Sequence, residues 1–301
     1  MKLPAYTPYD GSSKPFTIGL MPLDLARWIE PDADLPRYLA EKRSLAGSRR
    51  ADVFVAEDDM LAAQEECLQL LADYLCSTHP NLYKRHGSLI DAAGTTVDLA
   101  DPALPPLMKA GLLVEDDIVI MRRKDDGWHL VAGHVSFPSS WSLQEKFGRP
   151  MQAIHADVPG FSEGTRNAAL ITRIFDNLLV AQPVERMNWS VNTTGDLFLP
   201  MSKHRRPPSS EDFTLAERFA RVERQTLRKL PVSGDIVFTI RVYVDPIAAI
   251  EHHPRAAELA ASFATQLAAL DEQQTAYKGL TLQKAELVQK LHSLAQQLAP
   301  A

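Results

Sequence analysis

The sequence predicts an α+β protein whose centre is an antiparallel sheet and whose two ends are helical. Three stretches carry that prediction. Ile236, Phe238, Ile240, Val242 and Val244 alternate with Val237, Thr239, Arg241 and Tyr243, the period of two of a half-buried strand. Asp117–Met121 and Trp128–Val135 are two further β-rich runs around Asp125-Asp126-Gly127, which reads as a hairpin. Leucine-rich stripes at helical spacing lie on either side, near residues 56–77 and 259–298, and mark helices with one buried face.

The first fifty residues are punctuated by Pro4, Pro8, Pro15, Pro22, Pro31 and Pro36. They read as an extended segment wrapped over the core, with short helices at Asp24–Trp28 and Leu35–Leu45. Ala56–Ser77 is expected to be one helix, with Met60, Leu61, Leu68, Leu71 and Leu75 on its buried side. Glu57, Asp58 and Asp59 suit the positive end of its dipole, and His79-Pro80 ends it. Tyr83–His86 reads as a loop, and a helix or loop interrupted by prolines runs to Gly111. After the hairpin, Ser142–Glu145 resembles a capping box, Ile154-His155 sits before Val158-Pro159-Gly160, and Thr165–Leu179 reads as a helix. Met187–Asn192 and Leu197–Leu199 are expected strands.

Arg221–Leu230 is expected to pair with the strand at 236–244 through the turn Leu230-Pro231-Val232-Ser233-Gly234. It carries Arg221, Glu223, Arg224, Gln225 and Arg228, more charge than a half-buried strand needs. These charges either form the solvated face of an edge strand or line a pocket. Alternation puts Glu223 and Arg224 on opposite faces, so without a bulge at most one of them faces a given pocket.

Composition narrows the function. The chain has 301 residues, 45% of them hydrophobic and 23% charged, and a net charge of −6. That disfavours a general nucleic-acid or anionic-membrane role. The two cysteines, Cys67 and Cys76, are too few for a disulfide framework or a four-cysteine cluster. No eighteen-residue apolar run is present, so no membrane span is expected. The N-terminal MKLPAYTPYDGSSKPF lacks the apolar region of a signal peptide, so a cytoplasmic setting is expected. GxGxxG, the P-loop, HExxH, CxxC and GxSxG are all absent. Nine histidines are scattered along the chain, and a haem site needs only one on iron plus an apolar slot. The basic run Lys203-His204-Arg205-Arg206-Pro207-Pro208 reads as an exposed loop or as a docking patch for an acidic partner.

Five stretches together resemble the haem-dependent oxidative N-demethylase family, and within it the haem-binding alpha subunit. They are PFTIGLMPLDLARWIE, VSFPSSWSLQEKFGRPMQAIHADVPGF, RMNW, RVERQTLRKLPVSGDIVFTIRVYVDP and YKGL, in the family's order along nearly the whole chain. The resemblance implies a PAS-like antiparallel sheet with short helices, at about 115–245, with helical extensions 1–114 and 246–301 in a single haem-binding domain. It also implies haem b (iron), O2 and a small secondary methylated amine such as dimethylamine. The N-methyl group would leave as formaldehyde, with electrons from NADPH arriving through FMN and 2Fe-2S groups on partner reductase subunits.

The same resemblance suggests residue roles. His155 is expected to be the axial ligand to iron, against the alternative that it only caps a turn. Arg224 is expected to supply a fixed cation for charge developing on bound dioxygen. Glu223 or Gln225 is expected to hold the substrate ammonium, and Trp189 to close the amine pocket by a cation–π contact unless it is a core tryptophan. A haem-based gas or ligand sensor and a haem-free binding protein are the other readings. If His155 is not the ligand, His129 and His134 come next.

Overall fold

A computed structural model describes residues 2–201 and 212–299. The basic run from Lys203 to Pro208 lies outside the described residues. The chain opens with β1 (Met21–Pro22), α1 (Leu35–Ser48), α2 (Arg50–Val53), β2 (Phe54–Ala56) and α3 (Leu61–Thr78). A meander of β3 (Tyr83–His86), β4 (Leu89–Ala92) and β5 (Thr95–Asp98) leads to α4 (Pro106–Gly111). The hairpin β6 (Asp117–Lys124) and β7 (Gly127–His134) follows, then α5 (Leu143–Lys146), α6 (Met151–Ile154) and α7 (Arg166–Asn177). Three long strands come next, β8 (Val184–Asn192), β9 (Phe219–Lys229) and β10 (Ile236–Pro246), and the helices α8 (Ala256–Ala268), α9 (Glu272–Tyr277) and α10 (Lys284–Gln297) end the chain.

The main sheet has seven strands in the order β1-β8-β9-β10-β6-β7-β2, antiparallel throughout. Hairpin, helices and then three strands is the order expected of the central block, and the N-terminal region adds an edge strand on each side. The β9–β10 hairpin pairs Phe219 with Pro246 through to Lys229 with Ile236. Its turn closes with Leu230 N donating to Asp235 O at 2.8 Å, and Gly234 adopts φ +75°, a conformation glycine reaches without Cβ strain. The Glu66 carboxylate of α3 accepts from Val232 N and Ser233 N at 2.7 and 2.9 Å and pins this turn.

Strand alternation gives the sheet two chemically different faces. On one, Val119, Met121, Leu227 and Ile236 bury Leu143 of α5, Met151 of α6 and Phe175 of α7. Tyr38 of α1 covers Ile240 and Val242 at the end of the same face. On the other face, α3 and α4 pack on Ile118, Ile120 and Val237, and α8 and α10 pack on Trp189, Val222 and Tyr243. Each large apolar side chain buried this way contributes about 1.5–3 kcal/mol.

Several expectations need correction. The helix expected over 56–77 begins only at Leu61, because Phe54–Ala56 pairs with β7 and Asp58–Met60 forms a 3-10 turn. Glu57 and Asp59 hold Lys124 and Arg122 by ion pairs at 2.7 and 2.9 Å. Tyr83–His86 is a strand and not a loop. Leu197–Leu199 makes only an isolated bridge, Ser139 to Leu199. Ser142 precedes α5 but its side chain caps nothing, whereas Thr165 caps α7 by accepting from Ala168 N at 3.3 Å.

Candidate functional site

The register of β8 on β9 sets what meets on the face covered by α5–α7. Asn188 lies opposite Glu223, and Arg186 opposite Gln225. All four share parity with Leu227, which packs in the same cluster as Met151, so they lie on the side of the sheet that carries α6. Glu223 Oε2 accepts from Gln225 Nε2 at 2.7 Å and from Asn188 Nδ2 at 3.3 Å. Among the described residues, Glu223 Oε1 has no partner. These side chains are only half-buried, as are Phe238, Trp141, Phe147 and Ile154 on the same face. This part of the sheet is therefore covered incompletely, whereas Trp189, Val222, Arg224 and Thr226 on its opposite side are buried.

His155 follows the single turn α6. The prolines and glycines around it, Pro150 and Val158-Pro159-Gly160, keep this segment from becoming a longer helix. His155 Nδ1 lies 3.0 Å from Met151 O. A carbonyl can only accept, so Nδ1 carries the proton and Nε2 presents its lone pair. Burial, reinforced by the Lys146 charge, pushes the imidazole down to about 4, so it is neutral at ordinary pH. Phe161 lies beside the ring at 6.4 Å, and Met151, Ile171 and Ala168 line a shallow hollow against it, with a cavity volume of only about 10 Å³.

The other two histidines are poorer ligands. His129 has both ring nitrogens engaged, with Gly148 O at 3.0 Å and Asp126 Oδ1 at 2.7 Å. His134 has both nitrogens without partners among the described residues, but it is fully buried on the opposite face, where an added Cβ on Gly111 would overlap its ring.

Two expected pocket residues are elsewhere. Arg224 lies on the opposite face, 1% exposed, with Nη2 2.7 Å from Glu185 and 2.6 Å from Arg27 O, and Nη1 donating to Trp28 O at 3.1 Å. It clasps the N-terminal segment to the sheet, and strand alternation denies it the pocket that holds Glu223. Trp189 is also on that face, packed edge-on to Phe263 and Tyr9. The cation over its ring, at 4.9 Å, is Lys278 of the chain itself. Gln225 does reach the pocket side, where its amide is committed to Glu223.

The structure also brings in residues that the sequence reading did not single out: Arg186, Asn188, Lys146 and Tyr277. Arg186 and Asn188 alternate with Trp189 in RMNW, a signal that becomes useful only once the β8–β9 register is known. Lys146 Nζ donates to Ile154 O at 3.0 Å, next to His155. Burial raises the Tyr277 phenol to about 12, reinforced by the charges of Glu223 and Asp157, and its ring packs edge-on to Phe16 at 5.7 Å.

A neutral imidazole whose Nε2 has no partner among the described residues, set beside Met151, Phe161 and Ile171 and near the half-buried Lys146 and Arg186, fits a haem. The hydrogen bond to Met151 O is the outer-shell contact that orients a metal-bound histidine. No cluster of three or more His, Cys, Asp or Glu suited to a bare metal ion is present among the described residues. No helix among them is long and apolar enough to cross a membrane. A family model described as haem-dependent oxidative N-demethylase, alpha subunit-like, matches residues 19–288.

Proposed function

The chain belongs to the haem-dependent oxidative N-demethylase alpha-subunit-like family, and on that premise we propose that it is the haem-binding subunit of a monooxygenase that demethylates a small secondary methylamine such as dimethylamine. The observation that carries this reading is the presence, on one sheet face, of His155 Nε2 and Glu223 Oε1, each without a partner among the described residues. Haem b held by His155 supplies the chemistry by which O2 oxidises an N-methyl group and releases it as formaldehyde.

The chain's own residues bind and orient. A secondary amine is protonated at neutral pH, and Glu223 Oε1 is the acceptor for its N–H. Asn188 and Gln225 fix the carboxylate through Oε2, so Oε1 is aimed before the amine arrives and little ordering remains to be done on binding. Phe238, Trp141 and Ile154 limit water around the ion pair and strengthen it. The His155 Nδ1–H bond to Met151 holds the imidazole in the tautomer that leaves Nε2 for iron. Electrons come from NADPH through FMN and 2Fe-2S groups on reductase subunits, in keeping with the alpha-subunit character of the family. The two free cysteines, Cys67 and Cys76, suit a reducing cytoplasm.

Amine titration of the haem-reconstituted protein, followed in the Soret band, tests this. Dimethylamine is expected to shift the band saturably, and Glu223→Gln is expected to weaken that response at least tenfold. Formaldehyde is expected on turnover with an electron donor. A response that is the same in wild type and Glu223→Gln would remove Glu223 from the amine site. Reduced protein that binds O2 without forming formaldehyde from any methylamine would turn the reading to a sensor.

A further inference from the structure

Beyond His155, we propose that Arg186 and Lys146 form the anion site of this pocket and would pair with the two propionate carboxylates of the haem. The inference rests on the haem reading above and concerns which residues hold the cofactor's charged edge.

Three observations lead to it. First, both cations are half-buried, and neither has a carboxylate within ion-pair distance among the described residues. Arg186 Nη2 donates to Thr17 O at 3.0 Å, while its Nε is buried without a partner. Lys146 donates to Ile154 O, and its ammonium lies 5.5 Å from the Trp141 ring. Second, two of the protein's other buried cations are paired with carboxylates, although each leaves its own Nε without a hydrogen-bond partner among the described residues. Arg224 holds Glu185 and Arg241 holds Glu115, each at 2.7 Å. A buried cation without a counter-anion is costly, so two at one place point to an anion that the chain does not itself provide. Third, both flank His155. Lys146 is bonded to the residue before it, and the charges of Lys146 and Arg186 both reach its imidazole.

Burial depresses both cations, and nearby acids only partly offset it: Glu223 for Arg186, and Asp157, Glu145 and Glu223 for Lys146, with Arg149 opposing. None of these acids closes an ion pair with either cation. A haem carries its two negative charges on one edge, so two cations near a neutral ligand nitrogen, neither of them closed in an ion pair, match its charge pattern. Arg186 offers a planar fork for one carboxylate, and Lys146 a compact charge for the other.

The test is equilibrium titration of the haem-free protein with ferric haem and with its dimethyl ester, in which both carboxylates are masked. Wild type, Arg186→Gln, Lys146→Gln and the double variant are compared by absorption, with urea unfolding midpoints as the check on folding. Each single variant is expected to weaken haem binding several-fold and the double variant at least tenfold. The ester is expected to bind wild type at least tenfold more weakly than haem, with no further loss in the variants. Equal affinity of wild type for haem and ester would overturn the anion site, as would an unchanged haem affinity in a folded double variant. If the double variant does not fold, the comparison of haem with ester on wild type still decides. Binding of neither porphyrin to wild type would instead sink the haem reading and this inference with it.

Discussion

Glu223 and Arg224 are neighbours on one strand, yet they live in opposite environments. On the Arg224 face the buried arginines sit in ion pairs, although Nε of both Arg224 and Arg241 has no hydrogen-bond partner among the described residues. Arg224 is held by Glu185 and two carbonyls, Arg241 by Glu115 at 2.7 Å and Asp32 at 3.3 Å, and Thr226 hydrogen-bonds Thr239 at 2.7 Å. On the Glu223 face, among the described residues, Arg186 has no carboxylate within ion-pair distance, and Glu223 Oε1 and His155 Nε2 have no partner. The same residue types therefore do different work. Ion-paired buried charge fixes a fold, here by clasping the N-terminal segment to the sheet. Under-partnered charge on an incompletely covered face is left for something that binds.

That contrast can be broken in stability measurements. Arg224→Ala is expected to have the largest effect, a loss of about 3–5 kcal/mol, because Glu185 and two carbonyls lose a buried cation. The urea midpoint should fall without a change in slope; a loss below about 1 kcal/mol would mean that the clasp is dispensable. Gly111→Ala, on the same face, forces a methyl against the buried His134 ring and should cost about 1–3 kcal/mol. Thermal unfolding with no shift in midpoint would contradict that packing.

Lys42 sharpens the comparison through pH. It is fully buried, donates to Gly111 O at 3.1 Å and lies 3.9 Å from Asp117. Burial outweighs that carboxylate and lowers its pKa from 10.5 to about 8. Between those values the unfolded chain keeps a proton that the folded protein has lost, so stability rises with pH across that window. Lys42→Met should remove a slope of up to about 1.4 kcal/mol per pH unit between pH 8 and 10.5, read as the difference in urea unfolding between the two proteins. Parallel pH profiles would show that the lysine titrates normally.

The smallest stability effect is expected on the other face. Glu223→Gln should stay within about 0.5 kcal/mol of wild type while losing the amine response. A large loss of stability there would class Glu223 with Arg224 as a structural charge.

How much of this was legible in the sequence follows from where the information sits. The alternation at 236–244, the hairpin after Asp117 and the helix capped by Thr165 are local patterns, and they became β10, β6–β7 and α7. The β3–β5 meander was missed because its strands have four residues each, and Lys84, Arg85 and His86 mask any apolar alternation. The late start of α3 was hidden because Phe54–Ala56 is claimed by a distant strand, β7. At the site, alternation separates Glu223 from Arg224 but does not say which of them faces α6; that depends on tertiary packing. Trp189 could not be assigned to a face until the register of β8 on β9 placed it opposite Val222. His155 was reached only through resemblance, since nothing in IHADVP alone distinguishes a ligand from a turn cap. In the structure it does follow a turn, and its Nε2 has no partner among the described residues all the same.

The central claim is that His155 holds a haem, and the most direct measurement is the absorption spectrum of haem-supplemented wild type beside His155→Ala. A Soret band in the wild type that shifts or vanishes in the variant is the predicted result. A band unchanged in His155→Ala would keep the haem but take it away from this histidine, and no band in the wild type would contradict the account at its root.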